Sequence, residues 1–305
     1  MINSVVDSAT FGVPTFGVYP VPQVLPAVEG LVTIFGSNLA DGTYQAQSIP
    51  YLTTLGPVQV LISPGPVPVG NPGTAPAELV FVSPSQINLH IPQGASGSYL
   101  TVQLNGATKS PPFFFRMAQY SPAIFFMGYD CFIDSRYEDW GKNCGLSPIE
   151  GSTYRADRGM VTDSAGMLLT SSNPARFGAT YTAWLTGLGH FTNTTPPAPV
   201  SLYIANVPVY GYPHDTYIPF ASADFAGPVP QSPGLYQVNF TLPTEIVGGM
   251  SPGGYPPLWP CGNYKWEISL SVNEGGSSSS LTLQTSNLIE IPLVIQNGDV
   301  PCAAN

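Results

Sequence analysis

Gln86-Ile87-Asn88-Leu89-His90-Ile91-Pro92 returns 151 residues later as Gln237-Val238-Asn239-Phe240-Thr241-Leu242-Pro243. Both copies read Gln, β-branched, Asn, apolar, variable, apolar, Pro. Ser83-Pro84 precedes the first and Ser232-Pro233 the second. Fifty residues before each Gln, a glycine ends an apolar run: Gly36 after Val32-Thr33-Ile34-Phe35, and Gly187 after Ala183-Trp184-Leu185-Thr186. Two landmarks sharing one offset mark a duplicated unit, and a duplication speaks to architecture before it speaks to chemistry. Within each copy the polar Gln and Asn alternate with apolar residues, the period-two pattern of a half-buried strand.

Outward from the repeat, the same pattern recurs. Val58, Val60 and Ile62 alternate along one run, Leu100, Val102 and Leu104 along another. In the second half Val200, Leu202 and Ile204 match the first of these, and Trp266, Ile268, Leu270 and Val272 alternate with Glu267, Ser269, Ser271 and Asn273. Leu281 to Leu283 and Ile289 to Ile295 read as closing strands, with Gly275 to Ser280 as a hairpin tip. No segment carries a helical stripe. Strands at this spacing between turn residues predict an all-β chain of two tandem Ig-like antiparallel β-sandwich domains. A chain of 305 residues, at roughly 150 per domain, agrees. The expected boundaries are 1–120 and 121–305, with an insertion at 128–158 and an extended loop at 205–231 in the second. Phe113 to Met117 is too apolar for a floppy linker and reads as a last strand running into the next domain.

Only 9% of the residues are charged, against roughly 25% in typical soluble proteins. The net charge is −10 and the only lysines are Lys109, Lys142 and Lys265, which excludes the clustered cations that nucleic acid requires. No apolar run reaches the roughly 18 residues of a membrane span. The N-terminus has neither a cationic segment nor an apolar core, so either the chain is cytosolic or its numbering begins after processing. Cys131 and Cys144 bracket the insertion, Cys261 and Cys302 the last strands, and neither pair has metal or redox spacing. Four cysteines allow three pairings. The local one, Cys131 with Cys144 and Cys261 with Cys302, is the simplest, and closing the shorter loop would add about 3 kcal/mol. Free thiols in a cytosolic protein are the alternative; low charge and paired cysteines favour an extracellular or cell-surface location.

Together, Val32–Ala40 (VTIFGSNLA), Phe81–Pro92 (FVSPSQINLHIP), Ser121–Phe125 (SPAIF), Asn173–Ala175 (NPA), Thr186–Gly189 (TGLG) and Gly234–Pro243 (GLYQVNFTLP) resemble one family. It is the uncharacterised C-terminal domain family of secreted proteins from Solibacter and other acidobacteria, matched in order over about residues 4 to 248. The apolar-x-Gly-x-x-Leu half-repeat also resembles Ig-like folds of the IPT/TIG kind. The resemblance implies a β fold and a secreted setting, and it supplies no catalytic residue. The cysteine insertion and the aromatic loop depart from the usual pattern, as does the lack of an upstream propeller or enzyme.

Chemistry is sparse. Gly249-Met250-Ser251-Pro252-Gly253 has the hydrolase-elbow spacing, but a Gly/Pro-rich loop follows where a helix is needed, and Pro252 lacks an N–H. His90 sits on a repeat strand where the second copy has Thr241, which predicts an outward-facing strand residue. His190 follows Gly189 at a strand end and His214 lies beside Asp215. Asp130, Asp134, Glu138 and Asp139 crowd the insertion without calcium-loop spacing. No catalytic residue, metal or cofactor is expected. The repeated Gln-x-Asn pairs share a face and predict a structural task such as bonding loop backbone.

Two surfaces remain. Tyr210, Tyr212, Tyr217 and Phe220 lie in a turn-rich loop, a pattern suited to stacking on a surface polysaccharide or to covering a sandwich end. Val5, Val6 and Phe11 belong to a β-prone stretch before a Pro-rich run, either an arm that completes a neighbour's sheet or the first strand of its own domain. The leading expectation is a self-associating structural or adhesive protein; a carbohydrate-binding module is the alternative.

Overall fold

The computed structural model describes residues 1–11, 24–66, 72–130, 156–170, 172–191, 200–205, 218–242, 262–274, 282–285 and 289–295. Among them the chain is all β-strand, turn and extended segment, without a helix. Strand pairing is antiparallel throughout except where Arg158 faces Glu290, and an isolated parallel bridge joins Ala27 to Ala118.

The first copy of the repeat lies at the centre of a five-stranded sheet. Leu31–Gly36 pairs with Gln86–His90, each Thr33-like residue opposite its partner, so that Thr33 faces Asn88 and Phe35 faces Gln86. Ile2–Asp7 lies outside Leu31–Gly36, and Glu78–Val82 with Tyr44–Gln45 completes the other side. A second sheet runs Ala107–Thr108, Tyr99–Leu104, Val58–Ser63, Thr54–Leu55, with Phe113–Phe114 on Tyr99–Leu104 and Ala75–Pro76 on Val58–Ser63. Ile34, Leu79, Ile87 and Leu89 of the first sheet share one core with Val58, Val60, Ile62, Leu100 and Val102 of the second. The alternation read from the sequence is the cause: Ile87 and Leu89 are buried while Gln86 and Asn88, one residue off, are half-exposed. Each such aliphatic side chain contributes about 1.5–3 kcal/mol by leaving water.

The second half repeats this around Thr180–Thr186 and Tyr236–Thr241, flanked by Ala123–Ile124 and Phe225–Pro228, with Val161–Asp163 also on Thr180–Thr186. A separate core gathers Ile124, Val161, Leu185, Leu188, Val238 and Phe240. The remaining sheet runs Phe126–Asp130, Ala156–Gly159, Ile289–Ile295, Gly262–Glu274, Val200–Ala205, Ile218–Ser222, with Thr282–Thr285 on Gly262–Glu274. The repeat is not quite register-true. Phe35 faces Gln86, but Trp184 rather than Thr186 faces Gln237, a slip of two residues. An even slip leaves every side chain on its original face, so the core survives it.

Several expectations change. The stretch 205–231 is not one loop, because Ile218–Ser222 pairs with Val200–Ala205 and Phe225–Pro228 with Tyr236–Thr241. The ends of the insertion 128–158 belong to the paired strands Phe126–Asp130 and Ala156–Gly159. His90 does not face outward into solvent. It is only 8% exposed, with Nδ1 3.0 Å from Glu78 Oε2. Cys131, Cys144, Cys261, Cys302, Tyr210, Tyr212, Tyr217, His214, Ser251 and the tip 275–280 lie outside the described residues. Phe220 is within the Ile218–Ser222 strand.

Candidate functional site: an open strand edge and a polar seam

Ile2–Asp7 is the first strand of its own sheet rather than a free arm. It pairs with Leu31–Gly36 from Ile2 opposite Gly36 to Asp7 opposite Val32, with an irregularity between Ile2 and Ser4. Val5 packs against the first core and Val6 is half-buried. Asp7 ends the strand: Oδ1 accepts from the amides of Ala9 at 2.9 Å and Thr10 at 2.7 Å, and Oδ2 accepts from the Thr10 hydroxyl. This short-range bonding by an Asp side chain turns the chain, and the amide of Phe11 closes back on the Asp7 carbonyl at 3.2 Å. Phe11 emerges 43% exposed at a positive φ of 53°, its ring 6.1 Å from that of Phe35.

The outer edge of this strand has no described partner. The other terminal strands of the first half, Tyr44–Gln45, Thr54–Leu55 and Ala107–Thr108, have two residues each. Short edges are a standard protection against pairing with foreign strands, as are lysine and proline on the edge. Ile2–Asp7 has six residues and carries neither. Among the described residues, its irregularity near Ser4 and the buried Asp7 at its end guard it.

The duplicated Gln-x-Asn is structural in a way different from the one expected. Asn88 Oδ1 accepts from Gln86 Nε2 at 2.7 Å and from the Thr33 hydroxyl at 3.3 Å, and Thr33 in turn meets Ser8 at 2.8 Å. Asn239 Oδ1 accepts from the Thr182 hydroxyl at 3.0 Å. The partner is therefore a threonine on the neighbouring strand, not loop backbone. Because of the two-residue slip, Thr182 takes the place of Thr33.

A second cluster was not foreseen. Residues 25–31 of the first half run along the end of the second. The Leu25 amide donates to Ser121 Oγ at 2.9 Å and the Leu31 amide to Thr186 Oγ1 at 2.7 Å. His190 Nδ1 stands 2.8 Å from Glu29 Oε1, while its Nε2 is 2.9 Å from Gln93 Nε2. With the amide nitrogen of Gln93 donating, Nε2 accepts and Nδ1–H is given to the carboxylate. Tyr236, 3% exposed, donates to the carbonyls of Gly189 at 2.8 Å and Glu29 at 3.1 Å. Burial, reinforced by the nearby Glu29 charge, holds its hydroxyl well above the ordinary phenol range, so it remains a donor. Gly234, at φ 80°, lies against His90 and Leu31. Glu29 and Glu78 are the only glutamates in residues 1–120, and each meets a histidine here. That economy of charge was a readable signal, but Glu29 and His190 are 161 residues apart and no spacing connects them.

Chemically the cluster binds itself. The Nε2 that would serve a nucleophile is taken by Gln93, and no group of three or more potential metal ligands occurs among the described residues. No described helix is long and apolar enough to cross a membrane. Comparison with protein-family models and with curated proteins gives no match.

Proposed function

We propose that the chain is a non-enzymatic extracellular structural or adhesive protein that self-associates by adding strands at the Ile2–Asp7 edge. We read its halves as two tandem Ig-like sandwiches, the second stapled by disulfides between Cys131 and Cys144 and between Cys261 and Cys302. The resemblance to the secreted acidobacterial domain family supports the location. The observation that carries the reading is that Ile2–Asp7 is long and lysine-free while the other described terminal strands of the first half have two residues each. An extended edge offers a row of backbone donors and acceptors, and side chains on alternate faces supply specificity. Phe11 and Phe35 beside it offer apolar area to the incoming chain.

The test is negative-stain microscopy with light scattering on non-reduced protein. Filaments or regular assemblies are expected, and they should disperse in an Asn3→Lys/Val6→Lys variant, which places charge on the edge while the sheet beneath stays covered. Deleting the strand would be a poorer test, because it would uncover Leu31–Gly36 as a new edge. A monomer of about 32 kDa in the unaltered chain overturns self-association. Attention then passes to a surface polysaccharide as ligand of the Tyr210–Phe220 segment.

A further inference from the structure

We infer that the seam is a clasp, made once per chain, that locks the two halves into a body unfolding as one unit. This does not depend on self-association; a monomeric chain would carry the same clasp.

The repeat itself is the argument. At the offset of 151 residues that relates Gln86 to Gln237, Gly234 stands where the first copy has Ser83, and Tyr236 where it has Ser85. Leu39 is fully buried in the first core, and Ser37, Asn38, Pro84 and Ser85 beside it are exposed. In the second copy Gly189, Gly234 and Tyr236 are buried; Tyr120 lies against Gly189, His90 and Leu31 against Gly234, and the Tyr236 hydroxyl reaches the Glu29 carbonyl, all from the first half. The opposite side of the joint diverges too. Leu31 and His90, paired with each other, correspond to the paired Thr180 and Thr241, which bond to each other at 2.9 Å while Thr241 donates to Asp224 at 2.7 Å, all within the second half. Thus Gly234 and Tyr236, where the second copy departs from Ser83 and Ser85, are positions that cross between the halves. One end of each copy has been refitted as half of a joint, and the equivalent ends have polar surfaces.

The bonds involved join groups far apart in sequence and largely out of water, so they exist only when both halves are folded. Separating the halves leaves the buried Tyr236 hydroxyl, the Glu29 carboxylate and the Leu31 amide to find new partners. Such a set couples the folding of its two sides.

Calorimetry on the full, non-reduced chain tests this. The unaltered protein is expected to melt in one transition with equal calorimetric and van't Hoff enthalpies. Tyr236→Phe with His190→Leu should split it into two. Ser85→Ala and Thr180→Ala, at the corresponding positions outside the seam, should leave one transition. Two transitions in the unaltered chain, or one in the double variant, would overturn the clasp. If the double variant does not fold, His190→Leu alone is read by hydrogen exchange. The Leu31 amide should lose protection by about tenfold while Ile87 keeps its own; unchanged protection at Leu31 refutes the inference.

Discussion

Gly234→Ala puts a single methyl group into the seam, and the chain contains its own control. Gly234 has φ 80°, and a Cβ there would lie 2.8 Å from both His90 Cδ2 and Leu31 Cγ. Gly166 has a nearly equal φ of 77°, but a Cβ there meets nothing within 4 Å. Both alanines bear the left-handed backbone cost of about 1–2 kcal/mol. Both recover about 0.4–1 kcal/mol because the unfolded alanine has less freedom to lose. Gly166→Ala should therefore cost about 1 kcal/mol. Gly234→Ala adds overpacking of about 1–3 kcal/mol, because His90 is held on Glu78 and Leu31 sits on a paired strand, so neither retreats easily. The predicted difference is about 2 kcal/mol, or roughly 3 °C in melting temperature when all 305 residues unfold as one unit. Urea titration and calorimetry on both variants, with circular dichroism confirming retained β structure, measure it. Equal destabilisation by the two alanines would mean that the first half does not press on Gly234, and the reasoning about the seam would fail.

Raising the pH should destabilise the chain through Tyr236. Its folded pKa is raised, so its contribution is complete below the unfolded phenol value near 10 and is lost progressively above it; in Tyr236→Phe the alkaline loss measured by thermal melts should be shallower. Asp163 titrates the other way. Its carboxylate accepts from the Asn173 side chain and from the Met167 and Ala165 amides, which lower its pKa, so its contribution is present above the unfolded value near 4 and fades as pH falls further. Asp163→Asn should flatten the acid limb of a plot of melting temperature against pH. Thr33→Val should cost more than Thr182→Val, by about 1 kcal/mol in denaturant titrations, since Thr33 is fully buried and bonds both Asn88 and Ser8 whereas Thr182 is half-buried and bonds Asn239. Ile87→Ala and Val238→Ala, at matched core positions, should each lose about 2–4 kcal/mol by the same measurement.

Much of the fold was legible because burial on one face of a strand writes itself into the sequence with period two. The period-two pattern places Ile87 and Leu89, Val58, Val60 and Ile62, and Leu100 with Val102 on strands, and all are buried there. Where the pattern is weak, reading failed. Phe225–Pro228 and Ile218–Ser222 carry Gly, Pro and Ser, so they looked like loop although a neighbouring strand pairs with each. Their position is dictated by the partner strand rather than by their own side chains. The slip of two residues was invisible for a related reason: period-two alternation fixes the face a residue occupies and is silent about even shifts along the strand.

The seam escaped for a deeper reason, and His90 shows it. Comparison of the two copies makes His90 read as an outward-facing strand residue without a catalytic role, because its counterpart is Thr241. In the structure that difference has a cause: His90 lies at the end where the first half meets Gly234, and Thr241 lies at an end where it bonds Thr180 and Asp224. Two copies in one chain do not share one environment. The two copies meet each other through different ends. What the repeat keeps, Gln-x-Asn with its cross-strand threonine, is what each unit needs to fold. What it changes, Ser83 to Gly234 and Ser85 to Tyr236, is what the pair needs to hold together. In a tandem chain, divergence at matched positions is therefore a guide to the joint, and it can be tested where the two copies disagree most.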